Sequence, residues 1–315
     1  LRVFAAGVLI LLVILLGRAA RAEADAATLD YRLQARALAP GVYVVEGANA
    51  DFSRANGCNI INTGFIVGSR GVLVINTGPS RRYGEQLRAL IARTTALPVE
   101  QVLHLNLHPD YFLGNQAFAD VPRAATPVTT EGMRAEAAAY ENNLYRTCGD
   151  WMKGTEALLP DRAVAPGPLA LAGRQLELRE LQGHTASDLV LLDRASGVVF
   201  AGGLVFVDRV PTTPHAELSS WLASLGQLAA QPFVAMVPSH GPVVADARGI
   251  EQTLAYLRWL DDSFEQAAQR GLEMTEVLAQ PVPAEYRGWA AFDTEYARNV
   301  VHLYPEYEAR SLRRP

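Results

Sequence analysis

The alternation of apolar and polar positions divides the chain into two similar halves. In the first, short β-rich runs at Val42–Glu46, Asn59–Val67 and Val72–Asn76 are separated by glycine-containing turns, as hairpins require. Ser80 is placed to N-cap a helix to about Arg93, with Leu87, Leu90 and Ile91 at core-facing spacing. Val102–Leu107 predicts a buried strand that breaks into a loop at His108-Pro109-Asp110, because proline ends regular pairing. A helix over Glu131–Arg146 and a loop over Cys148–Thr155 follow. In the second half Leu169–Leu171, Gln175–Leu181, Leu189–Leu192 and Val198–Ala201 read as strands. Leu218–Ala230 reads as a helix, Val234–Pro238 as a strand, and Ile250–Arg270 as a long amphipathic helix. A last helix over Thr294–Arg310 carries Pro305, which predicts a kink or break. Strands and helices in this order suggest an α/β protein built as an αβ/βα sandwich, two mixed sheets packed together with outer helices. No interior linker separates independent units, so residues 41–315 form one domain, preceded by a polar linker over residues 23–40.

The N-terminal pattern differs. Arg2 precedes an apolar run from Val3 to Leu16, followed by Ala20-Arg21-Ala22, the layout of a secretory signal peptide over residues 1–22. The run is short of the roughly 20 apolar residues that span a bilayer, so cleavage and release into the periplasm is expected, with an uncleaved anchor as the alternative. Once released, the protein is not expected to insert in the membrane. The whole chain carries a net charge of −5, and residues 1–22 hold three arginines and no acid, so the remainder is at −8. An acidic protein without a basic run is a poor partner for nucleic acid, which needs a positive face. Cys58 and Cys148 are the only cysteines. In an oxidising compartment they form a candidate disulfide; two separate buried thiols are the alternative.

Candidate chemistry sits where strands end. Asn106-Leu107-His108-Pro109-Asp110-Tyr111, Gly183-His184-Thr185 and Ser239-His240-Gly241 each place His or Asp at the start of a loop. Imidazole and carboxylate are good zinc donors, and alternate residues of an extended segment point the same way, so positions 106, 108 and 110 are able to converge. One histidine after a strand is ordinarily a hydrogen-bonded structural residue. Three such motifs in this order are a stronger signal.

These stretches, with Gly114-Asn115 and Gly202-Gly203, resemble the signature of the metallo-β-lactamase superfamily, His-x-His-x-Asp-His with later Gly-His, Gly-Asp and Gly-His-Gly. Val72–Gly78 is similar to the family's VLIDTG, with Asn76 in place of Asp. Asn59–Gly68, Arg146–Thr155, Asp208–Pro211, Trp221–Leu225 and Tyr296–Val300 are similar to the quinoprotein relay system zinc metallohydrolases, exported relatives linked to quinone-cofactor alcohol oxidation.

The resemblance implies two zinc ions, and here several ligands are replaced. One site would be Asn106, His108 and His184; the other Asp110, Tyr111 and His240; the bridging aspartate falls on Gly203. Asn106 is a weak neutral donor, though one branch of the family carries Asn there and works with one zinc. Tyr111 would have to ionise from a pKa of about 10, and Gly203 offers no side chain. The remaining donors are His108, Asp110, His184 and His240, and one zinc ion at most is expected. His104, on the same face as Asn106, is a further candidate donor. His215 and His302 read as surface or packing residues. Asp188 is placed to support a ligand from behind, and Trp151-Met152-Lys153 reads as a lid or a core cap. Restoring Asn106→His, Tyr111→His and Gly203→Asp should raise metal affinity on this alignment.

Two functions follow. One is a periplasmic metal-dependent hydrolase of an ester, thioester or lactone-like substrate in a quinoprotein-linked pathway, with Asp110 binding metal or orienting the attacking water. The other is a non-catalytic descendant that binds a small molecule or a periplasmic quinoprotein dehydrogenase.

Overall fold

The computed structural model describes residues 29–313, and the segment expected to direct export, residues 1–22, lies outside them. One sheet has seven strands in sequential order: β1 (Arg36–Ala39), β2 (Val42–Val45), β3 (Thr63–Val67), β4 (Val72–Ile75), β5 (Val99–Leu103), β6 (Arg123–Ala125) and β7 (Arg162–Ala163). Pairing is antiparallel as far as β4 and parallel beyond it. The second sheet has β8 (Gly167–Leu171), β9 (Arg174–Leu181), β10 (Asp188–Asp193), β11 (Val198–Phe200) and β12 (Ala235–Val237), in the order β12-β11-β10-β9-β8. Only the β11–β12 pair is parallel there.

Helix α1 (Arg81–Thr94) packs on the outer face of the first sheet. Helices α4 (Leu218–Ala229), α5 (Arg248–Gln269) and α8 (Phe292–Ser311) cover the second. The expected αβ/βα sandwich is present. Strands β4 and β11, and the middle of β10, are apolar throughout because both of their faces are buried. In β4, Leu73 and Ile75 point between the sheets while Val72 and Val74 meet α1. In β10, Leu189 and Leu191 point inward while Val190 meets the outer helices. Ser80 caps α1 as expected, its side chain accepting from the Tyr83 amide. Among the described residues no helix is long and apolar enough to cross a membrane.

Several boundaries differ from the sequence reading. The expected linker over residues 23–40 contributes β1, whose Arg36 pairs with Val44, so the sheet begins before residue 41. The strand expected to reach Leu107 stops at Leu103. There the Leu105 amide donates to the Asn76 side chain, while the Leu105 carbonyl accepts from Leu189 of the second sheet. The backbone thus crosses from one sheet to the other. The His108-Pro109-Asp110 loop opens a one-turn helix, α2 (Pro109–Phe112), with the proline at its first position, where no amide is needed. Helix α3 (Pro127–Cys148) begins four residues before the expected Glu131, at a Thr126 cap. Helix α8 runs on through Pro305, held by Val300, Leu303, Tyr304 and Tyr307 in the core it shares with α5. Short helices α6 (Met274–Leu278) and α7 (Ala284–Arg287) had no expected counterpart.

Candidate functional site

The crossing after β5 brings His108 and Asp110 between the sheets' loop ends, where the turns after β9 and β12 deliver His184 and His240. Gly183 is at φ +132°, and a Cβ there would lie 2.1 Å from the Trp221 backbone. Gly241, at φ +90°, has the Val207 carbonyl oxygen 2.0 Å from where a Cβ would be. Both close approaches admit only glycine, and they fix the two rings.

The four side chains meet as two pairs. The His108 and His184 rings make an edge contact with centroids 4.6 Å apart. His240 Nε2 lies 3.7 Å from Asp110 Oδ2, and the other ring nitrogen of His240 is 2.8 Å from the Ile60 carbonyl. Phe206 stands between the pairs, its ring 5.6 Å from His184 and 5.1 Å from His240. His184 has hydrogen-bond neighbours at both nitrogens: Asn106 Nδ2 at 3.3 Å and Thr212 Oγ1 at 3.2 Å. Among the described residues, no three His, Cys, Asp or Glu side chains converge in an arrangement that holds a metal ion.

The three replaced positions are all engaged. Asn106 donates to Asp188 Oδ1, and its own oxygen accepts from the His108 amide at 3.0 Å. Asp188 lies behind His184, 3.5 Å from Nδ1, and also accepts from the Thr185 amide at 2.9 Å. The Tyr111 hydroxyl is 2.7 Å from Ser239 Oγ. A Cβ on Gly203 would sit 2.1 Å from His184 Nδ1, 2.6 Å from Asp188 Oδ1 and 2.8 Å from Asn106 Nδ2. The space of a bridging side chain is therefore filled by other groups.

His108, Asp110 and His240 open on a cavity of about 420 Å³. Its far walls are residues the sequence reading did not place there: Glu136 and Tyr140 from α3, Arg209 from the loop after β11, and Glu295, Arg298 and His302 from α8. His215 and His302 are exposed, as expected of surface residues, and both also line the cavity, with His215 Nδ1 3.1 Å from His108 Nε2. His104 is buried elsewhere, bonded to the Tyr111 carbonyl at 3.1 Å. Trp151 packs at a tilt against Tyr31, ring centroids 4.4 Å apart, and lines a separate surface recess, so it is not a lid over the main cavity. Cys58 and Cys148 are joined in a disulfide with Cα atoms 6.0 Å apart.

Burial sets the charges. Desolvation, and then the neighbouring histidines, hold His108 well below the ordinary imidazole range. Desolvation, followed by the Arg209 charge, lowers His240 in the same way. Loss of solvent raises Asp110 to about 7, against the weaker pull of its own backbone amide and of Arg209. Native Asp110 therefore keeps its proton from the unfolded value near 3.8 up to about 7, and the stability this group contributes is lost as pH rises through that window. An Asp110→Asn variant escapes this loss. Its stability relative to wild type should climb between about pH 4 and 7 and level off above, as read from denaturant midpoints. A pH-independent difference would contradict the assignment.

Comparison with known proteins agrees with this architecture. A metallo-β-lactamase from Pontibacter korlensis is 23% identical, with a TM-score of 0.58 over 72% of this chain and 99% of its own. The DIM-1 metallo-β-lactamase exposed to ceftazidime is 17% identical, with a TM-score of 0.56 over 72% of this chain and 97% of its own. The TMB-1 enzyme is 16% identical, with a TM-score of 0.55 over 73% and 98%. At such identities the likeness is one of fold. No curated protein sequence matches the chain significantly. The family model for the metallo-β-lactamase superfamily matches residues 56–240, more than half of the length and all four candidate donors, and the chain belongs to that superfamily.

Proposed function

We propose that this protein is an exported, periplasmic member of a hydrolase superfamily that binds a small molecule in the cavity without the family's zinc pair. The observation that carries this reading is the sealing of the three replaced ligand positions. Asn106 is bound to Asp188, Tyr111 to Ser239, and the place of a Gly203 side chain is taken by the His184 ring. Each half-site keeps two strong donors, one short of the three protein ligands that a catalytic zinc takes. The family's zinc pair does not fit this donor set, and no step is derived through it. What this chain's own residues supply is a desolvated, mostly neutral polar floor, Asp110, His108 and His240, under a cavity of ligand size. The disulfide supports export to an oxidising compartment. The narrower resemblance to the quinoprotein relay metallohydrolases gains support because two of its segments bring Arg209 and Arg298 to the cavity wall. A third backs His184 with Trp221, ring centroids 5.0 Å apart. A periplasmic quinoprotein dehydrogenase as partner rests on that resemblance alone.

A second reading, a single-zinc hydrolase, is favoured by one atom: Asp110 Oδ2 is buried with no hydrogen bond, 3.7 Å from His240 Nε2. It requires His108 and His184 to give up His215, Asn106 and Thr212 as neighbours. Zinc analysis separates the two. After equilibration with one equivalent of zinc and gel filtration, the purified protein should retain less than about a tenth of an equivalent, because working sites bind tightly. Retention of about one equivalent would overturn the zinc-free reading.

A further inference from the structure

Among the described residues, eight buried side-chain polar atoms have no hydrogen-bond partner, and three of them belong to residues that line the cavity at the candidate site. They are Asp110 Oδ2, the Tyr140 hydroxyl and Arg209 Nη2; the other five lie elsewhere. Buried polar groups are nearly always paired, and an unpaired one costs stability, so three around one cavity need an explanation. They come from three separate elements, α2, α3 and the loop after β11, so no single local distortion accounts for them.

Arg209 is the most telling of the three. It is fully buried, yet its bonds are long: Nε to the Ala50 carbonyl at 3.3 Å and Nη1 to the Val210 carbonyl at 3.5 Å. Its nearest carboxylate, Glu295, is 3.9 Å from Nη2 and bonds instead to Arg298 at 2.7 Å. Tyr111 and Asn106, equally buried nearby, are fully engaged. Three of the eight unpaired atoms therefore belong to residues of one cavity, and their chemistry is specific. A guanidinium calls for an oxygen acceptor, a carboxylate oxygen for a donor, and a phenol for either.

Building on the small-molecule reading above, we propose that the cavity binds a small carboxylate that carries a hydrogen-bond donor beside the acid group, a hydroxy acid or amino acid with an apolar tail. Arg209 Nη2 donates to the ligand carboxylate, a charge-assisted bond of the stronger kind. Asp110 Oδ2 accepts from the adjacent hydroxyl or ammonium, and the Tyr140 hydroxyl completes the polar end. Phe52, Ile60 and Pro214 give the tail an apolar wall. The charge balance points to a monoanion or zwitterion. Beside the neutral Asp110, the lining holds two carboxylates, Glu136 and Glu295, against two guanidiniums, Arg209 and Arg298, so it has no net positive charge to hold a phosphate dianion.

Calorimetric titration of the full chain with four matched probes tests this. Leucic acid and leucine carry both groups, isocaproate lacks the donor, and leucinol lacks the carboxylate. Leucic acid or leucine should bind at least about tenfold tighter than the other two, since each probe with a missing group strands a buried polar atom. Preference for leucine identifies an ammonium at Asp110, and preference for leucic acid a hydroxyl. Tyr140→Phe should weaken binding several-fold without lowering the melting temperature, since it removes an unpaired buried hydroxyl. Arg209→Met combined with Glu295→Gln, which removes both buried charges together, should abolish it. Equal binding of all four probes, binding of none, or wild-type affinity in both variants would overturn the proposal. Binding of none, with a Tyr140-dependent rise in melting temperature on adding a neutral lactone, would discard the carboxylate while keeping the small-molecule reading. One bound zinc would discard that reading itself.

Discussion

Replacing Cys58 and Cys148 together by alanine should lower the stability of the domain by about 4–5 kcal/mol, as expected for a bridge that closes a loop of this size. The two residues are 90 positions apart, so the bridge removes a large share of the unfolded chain's freedom. For a chain of this length the melting temperature should fall by roughly 10 °C or more. Reductant added to the wild type should reproduce the shift and should leave the double variant unchanged. A fall of only a degree or two would mean that packing alone holds the region. The bridge has a second consequence because of what it joins. Cys58 belongs to the loop that carries Phe52 and Ile60 to one wall of the cavity, and Cys148 ends α3, which carries Tyr140, Asn143 and Thr147 to another. Both half-cystines are buried beside Leu107, Phe112 and Met152, the apolar cluster beneath the site. Ligand affinity should therefore weaken along with stability, and limited proteolysis should first cut the loop around residue 54.

That cavity also marks how far the sequence could be read. Local signals were sound: Ser80 caps α1, the glycines at 183 and 241 lie at tight turns, and the unbroken apolar runs of β4 and of residues 189–192 mark strands sandwiched between two cores. The end of β5 was illegible because it is decided by two distant partners, the side chain of Asn76 and the amide of Leu189. Asn76 itself occupies the left-handed region at φ +58°, which Asn tolerates better than most residues. The four candidate donors were legible because each follows a strand. Arg209, Glu295, Arg298 and His302 were not, because they reach the cavity from a loop and a helix whose sequence gives no sign of the neighbour they will meet. His215 follows Pro214 in an irregular stretch, and nothing local shows that this exposed histidine will lie beside His108. A buried Arg209 beside a buried Glu295 was the nearest thing to a clue, and the two are 86 positions apart in sequence.

The other large effect is expected at Gly203. Its backbone is not in the left-handed region, so alanine there is opposed by space alone. The Cβ would lie 2.1 Å from His184 Nδ1, and that ring has little freedom to retreat. It is fully buried between Trp221 at 5.0 Å and Phe206 at 5.6 Å, and Thr212 holds its far nitrogen at 3.2 Å. Trp221 in turn is fixed by an indole bond to the Leu204 carbonyl at 2.9 Å. Gly203→Ala should cost about 2–3 kcal/mol, the upper range for forcing atoms into a packed interior. Gly203→Asp should cost more, about 4–5 kcal/mol, because it adds a second carboxylate beside buried Asp188. The aspartate expected to restore a zinc bridge is therefore the change the fold resists most. Adding Asn106→His and Tyr111→His also removes the bonds to Asp188 and Ser239, so the triple variant should be less stable still. Thermal unfolding of the three variants, with and without zinc, decides the matter. If zinc lifts the triple variant's melting temperature back to that of wild type, His184 can swing out of the bridging space and the metal site is latent. If zinc leaves it low, the hydrogen-bonded interior has replaced that site, and reverting the ligands one by one cannot rebuild it.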